Sequence, residues 1–162
     1  MSKNSSFFVG IISLAAVSLT TTIYSSGLAH EDHGHFSAGE PGDPTKPARL
    51  VIVKMFSNGK QKLFEPSRIK VGQGEQIRFL LENIDRRRSH EFVLATAAEN
   101  QEHAEVMKIS PSMNHNTPNA KHVPSLRSGE LLWKFTKEGE FEFACLITGH
   151  YEDGMHGKIE VK

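Results

Sequence analysis

Near the C-terminal end of this 162-residue chain, a cysteine, a histidine and a methionine stand at equal intervals: Cys145, His150 and Met155, in the pattern C-x4-H-x4-M. Thiolate and thioether are soft donors, and imidazole is a borderline one. With one more histidine, His90, they form a set of two imidazoles, one thiolate and a weak axial thioether. That donor set suits copper passing between its two oxidation states. Zinc does not select a soft axial sulfur. Cys145 is the single cysteine, so neither an intrachain disulfide nor a four-thiolate zinc or iron–sulfur site can form. A Cys–His hydrolase is the enzymatic rival, but Cys145 follows a strand pattern rather than opening a helix.

Such donors must be carried by elements that converge. From Arg49 onward the apolar period is two: Ile77, Phe79 and Leu81, then Leu131, Trp133 and Phe135, then Phe141 and Phe143. This alternation predicts strands with one buried face. Further strands are expected over 50–56, 63–71, 90–95 and 158–161, with Gly72, Gly74, Gly129 and Gly139 at turns. Parity places Cys145 on the face of Phe141 and Phe143, His90 on that of Phe92 and Leu94, and Met155 on that of Ile159 and Val161. A single buried cysteine is commonly just a small hydrophobe, and a lone histidine at a strand end is usually structural. The shared inward parity of all four residues favours ligands. Thr96 with Glu99 predicts a capping box that opens one short helix reaching Lys108. A loop of 20 residues is then expected from Ser110 to Gly129, and the whole reads as an antiparallel all-β sandwich.

The motif with an upstream histidine resembles the cupredoxins, the small type 1 copper proteins. The stretches SHEFVLAT, EFEFACLITGHYEDGM and GKIEV are most similar to periplasmic cupredoxins associated with copper tolerance. The likeness covers residues 50–162. It implies a Greek-key β-sandwich holding copper at His90, Cys145, His150 and Met155. Where many cupredoxins follow the first histidine with Asn, this chain has Glu91. Copper tolerance is the role the resemblance implies first, and a soluble electron carrier serving a redox protein partner is the alternative. The multicopper oxidases and nitrite reductases that share the fold need further domains and more histidines, so no enzyme is expected.

Residues 1–29 have the three parts of a secretory signal: Lys3, an apolar run of 13 residues from Phe7 to Leu19, and a small-x-small ending at Ala29. Cleavage there would export a chain of 162 − 29 = 133 residues to the periplasm, with no membrane segment left. Residues 30–48, rich in Gly and Pro, read as a disordered arm bearing His30, His33 and His35. His103, Met107, Met113, His115 and His122, in the helix and long loop, add a second group of soft and borderline donors. Both groups are candidates for further copper. The balance of 19 basic against 19 acidic residues supplies no charge-driven attraction to nucleic acid or anionic lipid. Arg86, Arg87 and Arg88 read as a solvated turn that a redox partner could use.

Overall fold

Among the described residues the chain forms ten strands, and in the alternating ones the residues of one parity, odd in some and even in others, become the core. A computed structural model describes residues 36–111 and 117–162. The strands are β1 (Glu40–Pro41), β2 (Arg49–Asn58), β3 (Gln61–Glu65), β4 (Arg68–Val71), β5 (Gln76–Asn83), β6 (His90–Ala95), β7 (Ala120–Val123), β8 (Ser128–Lys134), β9 (Gly139–Ala144) and β10 (His156–Val161). One sheet has the order β1-β8-β5-β2-β3 and the other β4-β10-β9-β6-β7. The chain passes repeatedly between them, so sequence neighbours often lie in different sheets, in Greek-key fashion. The sandwich is mixed rather than purely antiparallel, because β2 pairs with β5 and β4 with β10 in parallel.

The facing residues interdigitate as the parity predicts. Val53, Met55, Ile77, Phe79, Leu81, Leu131 and Trp133 from one sheet pack with Phe92, Leu94, Phe141, Phe143, Ile159 and Val161 from the other. Phe92 and Phe143 stack with ring centroids 5.1 Å apart, and Phe64 meets both edge-on. Such pairs add directional preference to simple area burial. Phe92 lies two residues after His90 and Phe143 two before Cys145, so this aromatic stack is the floor under the site. Gly157 permits it, since a Cβ there would sit 2.2 Å from Phe143 Cζ.

One helix, α1 (Ala97–Ile109), covers the outer face of the second sheet. Its start is the expected capping box: the Thr96 side chain accepts from the Glu99 N–H, and the Glu99 carboxylate accepts from the Thr96 N–H at 2.8 Å. Ala104 and Met107 pack on Val93, Ala144 and Leu146, which explains why β6 is buried on both faces.

Further expectations are corrected. The arm expected through residue 48 is docked from Phe36 onward. Phe36 packs edge-on against Trp133 at 5.4 Å, the Trp133 indole N–H donates to the Ala38 carbonyl at 3.0 Å, and β1 pairs with β8. An aromatic contact and one edge strand are too short to show as periodicity. The strand expected over 63–71 is two strands in different sheets, divided at Pro66, which has no N–H to continue a ladder. The long loop contains β7, and Gly129 lies inside β8, where a Cβ would come within 3.2 Å of Lys121 and Val123. Residues 1–35 and 112–116 lie outside the described residues, and with them the expected signal, His30, His33, His35, Met113 and His115.

Candidate metal centre

Strand ends and one loop deliver the donors. β6 opens with His90, and Cys145 follows β9 immediately. The segment after Cys145 turns back to enter β10 just past Met155. This loop is closed by its own backbone. The Cys145 N–H donates to the Met155 carbonyl and the Met155 N–H to the His150 carbonyl, both at 3.0 Å, and the His150 N–H donates to Ile147 at 2.8 Å. Gly149 and Gly154 take left-handed φ of +83° and +92°, so the turns fall where glycine is most readily accommodated. From outside the loop, the Lys62 N–H donates to the Asp153 carbonyl at 3.1 Å, and the two side chains form an ion pair.

The opposite segment, between β5 and β6, is held by side chains. Asn83 donates its amide to the carbonyls of Arg88 and Val123 at 2.8 and 3.0 Å, and accepts from the Asp85 N–H at 2.9 Å. The Asp85 carboxylate receives the Ser57 hydroxyl at 2.6 Å and the Arg87 N–H at 3.1 Å. Asp85 Oδ2 lies 3.4 Å from His90 Nε2, within ion-pair reach but longer than a hydrogen bond.

At the focus, one donor atom from each of His90, Cys145 and His150 lies within 4.8 Å of the others, and all three residues are buried. Cys145 Sγ is 3.2 Å from His150 Nδ1, and the two imidazole rings lie 5.2 Å apart. Met155 is fully buried in the same core cluster as Cys145. The Glu91 N–H points at Sγ from 3.2 Å. That contact belongs to the backbone, so having Glu91 rather than Asn at this position does not remove it.

Burial sets the protonation. It pushes the Cys145 thiol up to about 12, against the opposing pull of the Glu91 and Ile147 N–H groups. Burial also takes His150 down to about 4, helped by His90, Lys62 and Arg88 nearby. His90 is lowered for the same first reason, while the Asp85 carboxylate resists the shift. For Asp85 itself burial acts upward, but hydrogen bonds from Ser57 and Arg87, with the nearby His90 ring, keep it below the ordinary carboxylate range. The metal-free site therefore holds a neutral thiol and two neutral imidazoles. Both ring nitrogens of His90 are buried and meet no hydrogen-bond partner among the described residues, although Asp85 stands within ion-pair reach of Nε2. A buried lone pair without a partner is costly unless something binds it. Beside a thiol, a second imidazole and a thioether, that something is best met by a soft-accepting metal such as copper.

The second group of candidate donors is placed differently. Met107 packs beneath α1 in the satellite cluster, His103 lies one turn earlier on the same helix, and His122 is exposed on β7 opposite Glu91. Among the described residues, His90, Cys145 and His150 are the one group of His, Cys, Asp or Glu donors close enough to share an ion. Sequence reasoning did not single out Asp85 or Asn83. The only available signal was an Asn and an Asp just before a candidate ligand, a pattern common to ordinary turns.

Comparison with known proteins identifies the family. The family described as copper binding proteins, plastocyanin/azurin family, matches residues 51–162. The chain is 40% identical to the "Copper-resistant cuproprotein CopI" of Rubrivivax gelatinosus, with 99% of each chain covered. It is 31% identical to the protein of the same name from Pseudomonas aeruginosa, over 85% of this chain and 88% of that one. Among solved structures, the dithionite-reduced auracyanin of Roseiflexus castenholzii superposes with a TM-score of 0.58 at 20% identity, covering 72% of this chain and 99% of the other. Auracyanin B gives 0.59 at 21% identity, covering 77% and 96%. These two show the shared sandwich. Copper is the cofactor, and the chain belongs to the plastocyanin/azurin family of copper-binding proteins.

Proposed function

We propose that this protein binds one copper at a type 1 site made by His90, Cys145, His150 and Met155, and serves copper tolerance in the periplasm. The observation that carries the reading is the buried meeting of a thiol and two imidazoles on a floor of stacked phenylalanines. Bound copper would supply one-electron chemistry between Cu(II) and Cu(I). The chain's own part is positional. β6 and β9 fix His90 and Cys145, the self-closed loop fixes His150 and Met155, and burial excludes water. A rigid donor set leaves little to rearrange when charge changes. Because the thiol is neutral before loading, copper uptake must release the Cys145 proton, and affinity should rise with pH. The tolerance role comes from likeness to the copper-resistant cuproproteins. His30, His33 and His35, with Met113 and His115, are proposed as accessory copper donors.

The test is a copper titration of the purified protein with visible and electron paramagnetic resonance spectra, beside Cys145→Ala. An intense thiolate-to-copper band with the first equivalent, absent from the variant, is the expected result. Binding beyond one equivalent that is lost in His30→Ala/His33→Ala/His35→Ala would support copper handling. Copper bound without such a band would mean that Cys145 is merely core. Normal growth of a Cys145→Ala strain in excess copper would sink the tolerance role.

A second reading, a carrier passing electrons to a redox partner, is favoured by the exposed run Arg86, Arg87 and Arg88 directly before His90. Loss of electron transfer in Cys145→Ala, with copper tolerance unchanged, would select it. No catalytic turnover is proposed for either reading.

A further inference from the structure

Asp85 lies in the turn between β5 and β6 and is not among the proposed ligands. Its side chain is only 8% exposed, and a buried carboxylate persists when it has fixed donors. Ser57, from β2, donates to Oδ2 at 2.6 Å, and the Arg87 N–H donates to Oδ1 at 3.1 Å. The backbone of Asp85 is anchored as well. Its N–H donates to Asn83 Oδ1 at 2.9 Å, and its carbonyl accepts from Ser125 Oγ at 2.8 Å. The carboxylate is thus aimed by two paired strands of one sheet, β2 and β5, and by the β5–β6 and β7–β8 turns. What it is aimed at is His90 Nε2, at 3.4 Å. Neither ring nitrogen meets a hydrogen-bond partner among the described residues, and of the two only Nε2 has a carboxylate within ion-pair reach, so Nδ1 is the one left to a ligand.

We infer that Asp85 is a positioning residue of the copper site, acting through His90. This rests on the ligand assignment proposed for His90. A neutral imidazole carries one proton, and a facing carboxylate draws it to Nε2. The Nδ1 lone pair is then left pointing away from Asp85, free for a metal. The carboxylate has a second effect through charge. A fixed negative charge one ring away stabilises Cu(II) more than Cu(I), because the oxidised ion carries one more positive charge. Asp85 therefore holds the reduction potential down and biases the site towards the oxidised ion. Asp85→Asn keeps the shape and removes the charge.

The experiment is spectroelectrochemical titration of the copper-loaded protein, wild type beside Asp85→Asn and Ser57→Ala. Asp85→Asn is expected to raise the ratio of Cu(I) to Cu(II) affinity at least tenfold, about 59 mV for one electron. Ser57→Ala, which loosens the carboxylate without discharging it, should move the potential the same way by less. In the diamagnetic Cu(I) form, nitrogen-15 spectra should show the His90 Nε2 proton exchanging slowly with water in wild type and faster in Asp85→Asn. An Asp85→Asn protein with an intact thiolate band and a ratio within twofold of wild type would overturn the inference. Should that variant not fold, an unchanged potential and unchanged exchange in Ser57→Ala would overturn it. A wild type lacking the thiolate–copper band would instead remove the ligand assignment, a separate failure visible before any variant is compared.

Discussion

The two segments that supply the proposed ligands are built on different principles. The Cys145–Met155 loop contributes three of them and is closed by hydrogen bonds between its own backbone groups, with glycines at its two left-handed turns. The β5–β6 turn contributes one ligand, His90, and is held by the side chains of Asn83, Asp85, Ser57 and Ser125. Backbone closure depends on conformation and tolerates many side chains. Side-chain bracing depends on a few residues, each with several partners. The first segment should therefore respond to substitution weakly and locally, and the second strongly.

Acid tests both segments at once. In the metal-free protein His150 titrates near 4 rather than near 6.5, because it is buried and faces His90, Lys62 and Arg88. Between those values the unfolded chain takes up a proton that the folded chain refuses. Stability is therefore intact above about 6.5 and lost as the pH falls towards 4. A shift of this size corresponds to about 3 kcal/mol, readable by urea unfolding at a series of pH values. His150→Gln should flatten most of that slope. His90→Gln should flatten less, since Asp85 offsets burial there.

Asn83→Ala breaks the side-chain brace. It strands the buried Val123 carbonyl and frees the Arg88 carbonyl, for an expected loss of about 2 to 3 kcal/mol in unfolding free energy. A loss below half a kcal/mol would show that the turn holds itself without Asn83. Gly149→Ala strains one left-handed position with open space around it, and should cost only about 1 kcal/mol with the thiolate band retained. Lys62→Ala removes an ion pair whose Asp153 end is well exposed, while the backbone bond between the two residues remains. Its effect on thermal unfolding should be the smallest of these. A larger loss from Lys62→Ala than from Asn83→Ala would invert the comparison.

The same division explains what could be read from sequence. C-x4-H-x4-M is visible because the loop that closes on itself also keeps its donors close in sequence, and strict alternation gives the parity that buries Cys145 and Met155. His90 was legible by its place at the head of an apolar strand. Its supports were not, because Ser57 on β2, Asn83 on β5 and Ser125 in the β7–β8 turn are far apart in sequence and meet Asp85 only when β2 pairs with β5 and that turn folds against them. Phe36 and Ala38 were likewise hidden in a Gly- and Pro-rich stretch, since their partner Trp133 is about a hundred residues away. The parallel pairings of β2 with β5 and β4 with β10 leave no local signature, because alternation reports the buried face and not the neighbour's direction.

The central claim is that one thiolate and two imidazoles share a single copper. Copper-edge X-ray absorption on protein loaded with one equivalent reads that ligand set directly. The account predicts one short copper–sulfur distance together with two imidazole nitrogens, and loss of the sulfur shell in Cys145→Ala. A first shell of nitrogen and oxygen alone in the wild type would contradict it.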